Sequence, residues 1–386
     1  MPSALMYQAR VAIFLIAIAG IFSTSPAQAQ AQGVRPETVA AGLEHPWAVA
    51  FLPLGRFLVT ERPGRMRVIE SDGRLGSPLR GLPAIDAGGQ GGLLDVVADT
   101  GFAGNRRIYF CYSEPAASGG GNSTALARAT LAADNSRLED VQVIFSQKPK
   151  FSSSAHFGCR VVEGQKEGQP DGTLFLTLGD RYSRMQDAQK LDNHHGKVIR
   201  INKDGSVPQD NPFVGRAGAL SEIWSYGHRN MQGATLAPDG SYWTHEHGPQ
   251  GGDEINLPQA GRNYGWPVIT YGENYGGGKI GEGITAKTGM EQPLHYWVPS
   301  IAPSGMAFLT SDKYGKAWQG NLFVGSLKFG YLDRIELAEP FRGKVVREHR
   351  LLEGGGRIRD VRQGPDGLLY VLTDSPQGRL LRLQPQ

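Results

Sequence analysis

The chain has 386 residues, and its 40 lysines and arginines against 37 aspartates and glutamates leave a formal charge of only +3. That balance, without a long basic run, excludes nucleic acid as the expected partner. Two cysteines are too few for a disulfide-stapled scaffold, and 53 glycines with scarce amphipathic helical periodicity point to a β-rich chain.

The N-terminus reads as a signal peptide. Arg10 closes a mildly positive start, "VAIFLIAIAGIF" is a short apolar run, and Ala27 and Ala29 suit a small-residue cleavage site. The run is too short to span a bilayer comfortably, and no later segment is apolar enough for a transmembrane helix. The expectation is a removed segment over 1–29 and one domain over 30–386, exported to the periplasm or secreted. In that oxidising setting Cys111 and Cys159 could pair, or remain as two buried thiols; spacing does not decide between them.

One β unit then recurs six times, starting at Trp47, Gly92, Gly158, Gln232, Ser304 and Ile358. Each is an apolar strand, a tight turn and a second strand, often followed by a third. Three units carry a literal Pro-Asp-Gly, beginning at Pro170, Pro238 and Pro365, and Asp-Gly supplies the positive φ angles of hairpin turns. Six repeated antiparallel sheets predict an all-β, six-bladed β-propeller with four-stranded blades. A pair of β-sandwiches would not explain recurrence of one unit. The stretches 181–231 and 258–303 are expected as long functional loops gathered at one mouth of the central channel.

Several stretches carry chemistry. "SSSAHFGCR" places His156 before one strand of the third unit, and "TLGDRYS" places Asp180 at the end of the next, across a Pro-Asp-Gly hairpin. A carboxylate that accepts the imidazole N–H would orient the ring as a base. A backbone-satisfied core histidine is the competing reading. "SYGHRNMQG" carries Arg229 and Asn230, suited to an oxygen-rich ligand or to a solvated turn. Lys328 stands in "GSLKFGYLDR", expected as a strand. Arg357 and Arg359 share a face if extended. "THEHGPQGGDEINL" offers His245 and His247 as a start for a zinc site, but no third ligand stands in a recognisable motif. Gly248 and Pro249, followed by Asp253 and Glu254, suit calcium better, which accepts carbonyls together with carboxylates.

Ten ordered motifs then carry a resemblance: "HPWAVAFLP", "GGQGGLLDV", "AHFGCR", "LFLTLGD", "GHRNMQG", "EHGPQGGDEIN", "NYGWP", "SIAPSGMAF", "GSLK" and "GRIRD". From about Trp47 to Leu383 the chain resembles the soluble pyrroloquinoline-quinone (PQQ)-dependent sugar dehydrogenases, nearer the compact aldose sugar dehydrogenases than the larger soluble glucose dehydrogenase. The resemblance implies an exported quinoprotein that oxidises aldoses at the anomeric carbon to lactones, by hydride transfer to calcium-bound PQQ. It implies His156 as general base, Asp180 as its hydrogen-bond partner and Arg229 as a stabiliser of charge on the quinone oxygen. Gln90, Arg229 and Asn230 resemble cofactor contacts, Lys328, Arg357 and Arg359 resemble the neutralisers of its carboxylates, and Tyr275 and Ser300 resemble loop contacts. The carbonyls of Gly248 and Pro249 look like ligands of the bridging calcium, and Glu254 and Tyr264 like part of a structural calcium site.

That reading agrees with the chemistry: a flat tricarboxylate ortho-quinone needs cations at its rim and a metal at its quinone edge. The chain departs from the larger enzyme at Ala155, where that enzyme has an acidic residue, and lacks its long insertions. Its glucose preference and dimerisation are therefore not carried over. A monomer is expected, with aldose mono- or oligosaccharides as substrates and an electron acceptor that the sequence does not name. The alternatives are a calcium-dependent propeller lactonase and a non-catalytic sugar-binding propeller.

Overall fold

A computed structural model describes residues 33–118 and 120–386, so the expected signal peptide lies outside the described residues. The chain forms six antiparallel sheets. The first blade holds β2 (Pro46–Leu52), β3 (Arg56–Glu61) and β4 (Arg65–Ile69), with an added bridge from Ile69 to Leu75. The second holds β5 (Leu93–Ala98), β6 (Arg107–Pro115), β7 (Asn122–Leu131) and β8 (Leu138–Ser146). The third holds β9 (Gly158–Lys166), β10 (Gln169–Leu178), β11 (Lys197–Asn202) and β12 (Ile223–Tyr226). The fourth holds β13 (Met231–Leu236), β14 (Tyr242–Glu246), β15 (Asp253–Asn256) and β16 (His295–Trp297). The fifth holds β17 (Pro303–Phe308), β18 (Leu322–Ser326), β19 (Leu332–Glu339) and β20 (Arg342–Leu351).

The sixth blade closes the ring. Its strands β21 (Ile358–Gln363), β22 (Leu369–Thr373) and β23 (Gly378–Pro385) come from the C-terminus, and β1 (Val34–Leu43) from the other end pairs antiparallel with β23. The innermost strands β2, β5, β9, β13, β17 and β21 touch in that order, and β21 returns to β2. This is a six-bladed β-propeller, with one end of the chain sealing the edge of the other.

Apolar runs such as "PWAVAFL" in the innermost β2 and "LFLTL" in the second strand β10 are buried because neighbouring blades cover both faces of the strands near the axis. The axis itself is polar. Arg160 of β9 lies 2.8 Å from Asp360 of β21 and 3.4 Å from Asp95 of β5, and Arg362 closes the square at 2.7 Å from Asp95 and 3.1 Å from Asp360. Three buried charges and the half-buried Arg362, alternating in sign, tie three blades together at the axis.

Three sequence expectations change. The stretches 181–231 and 258–303 are not simple loops: they contain the largely buried β11 and the short outermost strands β12 and β16. Pro170-Asp171-Gly172 is not the tip of its hairpin. Glu167 and Gly168, at φ 53° and 75°, make the two-residue turn, and the Pro-Asp-Gly forms an irregularity inside β10. Lys328 lies in the turn after β18 rather than in a strand. The two cysteines are paired: Cys111 of β6 and Cys159 of β9 form a disulfide between adjacent blades, with Cα atoms 5.7 Å apart.

Candidate active site

One mouth of the propeller collects the residues that lead into the inner strands, together with the hairpins that join each blade's second and third strands. Both kinds of segment fall at this end because strand direction alternates across a blade. They enclose a cavity of about 1000 Å³. Its wall includes Gln90 ahead of β5, Asn230 ahead of β13, Gly248 and Pro249 after β14, and Tyr275 and Ser300 from the long connections. Lys328, Arg357 and Arg359 come from the fifth and sixth blades.

His156, Asp180 and Arg229 are not on that wall but in the layer beneath it. His156 Nδ1 lies 2.6 Å from Asp180 Oδ1, and both side chains are buried. Asp180 is itself held in place, since its Oδ1 accepts from the Tyr182 N–H at 2.8 Å and its Oδ2 from the Trp266 indole N–H at 2.7 Å. With three donors on Asp180, the ring's Nδ1 carries the proton toward the carboxylate and its Nε2 is left as the basic atom. Burial lowers the His156 pKa below its ordinary 6.5. The bond to Asp180 opposes that shift, and the charges of Arg229 and Arg181 reinforce it. A neutral base at neutral pH is the result.

The backbone of His156 sits at φ 52°, so the segment before it needs support. Gln90 Oε1 accepts from the His156 N–H at 2.8 Å. Arg181, stacked 3.7 Å from the Phe157 ring, donates to the carbonyls of Ala155 at 2.9 Å and Ser153 at 2.6 Å. Gln90 therefore joins the cavity wall to the base.

The cations form a second group. Arg357 and Arg359 each lie 3.2 Å from Asp374 Oδ2, and His45 Nδ1 lies 2.8 Å from its Oδ1. Burial alone would raise Asp374, but Arg359, His45 and Arg357 hold it well below the usual carboxylate range. Burial pushes Arg359 down to about 10, still fully charged at neutral pH. Lys328 makes no ion pair among the described residues, its Nζ standing 5.1 Å from the Phe329 ring. Three cations against one carboxylate leave net positive charge on this side of the cavity.

Arg229 is tied to the turn after β14. Its Nη1 donates to the carbonyls of His247 at 3.0 Å and Gly248 at 2.7 Å, while its guanidinium lies 5.2 Å from the Trp266 ring. Its buried Nε has no hydrogen-bond partner among the described residues, a charged donor that suits an anionic oxygen. The turn at Gly248 admits only glycine, since a Cβ there would meet the Gly251 carbonyl oxygen at 2.1 Å. These features fit PQQ: a roomy cavity, a cationic rim and an unsatisfied guanidinium. The Gly248 carbonyl already accepts from Arg229 Nη1, and the Pro249 carbonyl is the other oxygen this turn could offer a hard cation.

Asp253 does not fit the metal reading. Its Oδ1 accepts from the Gly248 N–H at 2.8 Å, and its Oδ2 from Ser300 Oγ at 2.8 Å and the N–H groups of Ile301 and Ala302 at 2.8 and 3.0 Å. It clamps the 248–252 turn against the 300–302 segment instead. His247 commits Nε2 to the Pro303 carbonyl at 2.6 Å, which leaves only its Nδ1 for a metal, so the His245/His247 pair gains no support as a zinc site. Glu254 and Tyr264 stand apart from the cavity. Glu254 is half-buried opposite Glu246 across β14 and β15, and desolvation followed by that like charge raises it to about 8. The Tyr264 ring stacks on His228 at 4.8 Å, and no hydrogen bond joins it to Glu254.

The sequence reading missed Trp266, Arg181, Asp374 and Trp47. Trp266 stands in the quoted "NYGWP", where a conspicuous tryptophan was the available signal. Trp47 supplies the cavity floor and carries Arg160 at 4.2 Å.

The six-bladed propeller with a ligand cavity at one mouth defines the structural class, and comparison with known proteins narrows it. The model of the glucose/sorbosone dehydrogenase family matches residues 43–382, and the chain belongs to that family. It is 47% identical to aldose sugar dehydrogenase YliI of Escherichia coli (strain K12), over 92% of this chain and 93% of that one. The apo structure of the soluble E. coli aldose sugar dehydrogenase is similar, with a TM-score of 0.85 and 45% identity, covering 92% of this chain and all of that one. The PQQ-bound aldose sugar dehydrogenase of Streptomyces coelicolor matches with a TM-score of 0.73 and 28% identity, over 92% and 99% of the two chains. No helix among the described residues is long and apolar enough to cross a membrane.

Proposed function

We propose that this chain is an exported, PQQ-dependent aldose sugar dehydrogenase. The observation that carries the reading is the buried His156–Asp180 pair beneath a cavity walled by Lys328, Arg357 and Arg359. When bound, the ortho-quinone supplies an acceptor for the hydride of the anomeric C–H. Lys328, Arg357 and Arg359 would hold the cofactor's carboxylates, and Asn230, Gln90, Tyr275 and Ser300 its remaining polar edges. The carbonyls of Gly248 and Pro249 would hold the calcium, and Arg229 Nε would face the oxygen on which negative charge grows.

His156 Nε2 takes the proton of the anomeric hydroxyl, and Asp180 stabilises the imidazolium that forms. Trp266 and the Tyr182 N–H keep Asp180 in place while this happens. The predicted product is the lactone. A lactonase would cage its metal in side-chain carboxylates, whereas Asp374 on this wall is already committed to His45, Arg357 and Arg359. Export accords with the Cys111–Cys159 disulfide.

The test is reconstitution of the apoprotein with calcium and PQQ, following quinone absorbance and aldose-dependent dye reduction together. His156→Ala is expected to lose at least about 100-fold in kcat while binding the quinone normally. A variant that binds quinone and turns over at the wild-type rate would refute the base assignment.

A further inference from the structure

A second cavity, of about 440 Å³, opens beside the main one, and the two share a wall. Val298 and Pro299 line both. A tyrosine pair continues the partition: Tyr271 lines the main cavity and Tyr296 the side cavity, with rings stacked at 3.8 Å and 12°. The turn after β18 divides the same way, with Lys328 on the main wall and Phe329 on the side wall.

The side cavity combines aromatic planes with fixed polar groups. Phe329 and Tyr331 lie nearly parallel, 3° apart, at 6.1 Å. Phe329 is 47% exposed and Tyr296 45%, more than a packing role requires. Around them stand Trp297, Glu348, Arg350 and Glu353. Glu348 is braced from below, since its Oε2 accepts from the Trp297 indole N–H at 3.0 Å and its Oε1 lies 2.9 Å from His295 Nε2. The Arg350 guanidinium is held 5.0 Å from the Tyr331 ring.

Apolar planes beside an anchored carboxylate and guanidinium are the chemistry a pyranose ring needs, with C–H faces to stack and hydroxyl edges to bond. We propose that the side cavity is a subsite for the second ring of a di- or oligosaccharide whose reducing-end aldose occupies the main cavity. The proposal rests on the aldose oxidation proposed above. Val298 and Pro299 line both cavities, so a second ring that leaves the main cavity over them enters the side cavity.

The test compares the calcium- and PQQ-reconstituted wild type with Phe329→Ala and Glu353→Ala, measuring kcat/KM for glucose, maltose and cellobiose. The variants are expected to lose about five- to tenfold in kcat/KM on a disaccharide, chiefly through KM, and to keep glucose within about twofold. Equal losses on glucose and disaccharides, no loss on either disaccharide, or a wild type that oxidises glucose alone would overturn the subsite. Should no sugar be oxidised, the oxidoreductase reading fails by itself and the subsite is judged by binding. Saturation-transfer NMR with maltose then decides: transfer to the non-reducing ring lost in Phe329→Ala supports it, and equal transfer overturns it.

Discussion

Asp180→Asn is the most informative single change, because the structure places three donors on one buried carboxylate. Asp180 accepts from His156 Nδ1 at 2.6 Å, from the Tyr182 N–H at 2.8 Å and from the Trp266 indole at 2.7 Å. An asparagine can keep its carbonyl toward His156 and Tyr182 only by turning its own NH₂ onto the indole N–H. One contact fails in that orientation and two in the flipped one, and the charge that stabilises imidazolium is gone. A hydrogen bond to a charged group contributes about 1.5–3 kcal/mol, which at 1.36 kcal/mol per decade predicts a kcat about 10- to 150-fold lower. The pH profile supplies the second readout. His156 must be neutral to act, so activity rises with pH through its pKa, and burial already places that limb below 6.5. Asp180 opposes the downward shift, so its removal moves the limb further toward acid. The assay is dye-linked glucose oxidation between pH 4.5 and 9, with quinone affinity from absorbance and the fold checked by circular dichroism. An unchanged kcat and an unmoved acid limb, in a folded variant that binds the quinone, would refute the orienting role of Asp180.

Three further outcomes follow from other parts of the molecule. Asp374→Asn leaves two arginines facing each other without a carboxylate and is expected to cost about 3 kcal/mol at pH 7. Because the folded pKa of Asp374 is depressed, that difference is present above about pH 4 and fades as pH falls through the folded value; urea titrations at pH 3 and pH 7 check it. Reduction of Cys111–Cys159, which joins residues 48 apart, removes about 4 kcal/mol of loop-closure stabilisation, read as a fall in Tm that cysteine-to-alanine variants reproduce. Glu254 has a folded pKa raised to about 8, so the folded state favours its protonated form and stability in chelator declines between about pH 4.5 and 8. The slope is at most about 1.4 kcal/mol per pH unit, and Glu254→Gln should flatten it; an equal slope in the variant counts against that carboxyl as its source.

Much of the architecture was legible in the chain. Six apolar two-strand units set the blade number, because inner strands covered on both faces must be apolar along their whole length. The turn residues set where most of the hairpins fall. The outer strands were not legible: "IWSY" and "HYW" are short and half-exposed, so they show neither alternation nor a continuous apolar run. The unit at Pro170 misled for a local reason, since Glu167–Gly168 already supplied a two-residue turn and left Pro-Asp-Gly inside the strand.

The site divides in the same manner. The short motifs offered His156, Asp180, Arg229, Lys328, Arg357 and Arg359 as candidates beside blander readings such as a core histidine or a solvated turn, and the family resemblance supplied their roles. Their arrangement was a tertiary matter. Residues from separate blades meet only when the ring closes, so the chain could not say that Arg357 and Arg359 share Asp374. Nor could it say that Trp266, 86 residues from Asp180, would donate to it. The same closure decided between a disulfide and two thiols, because Cys111 and Cys159 stand on different blades. It also turned Asp253 from a candidate metal ligand into a clamp, because its oxygens meet the backbone of a segment 47 to 49 residues away. Side-chain chemistry is a property of the sequence, but which donor each carboxylate meets depends on how the blades close.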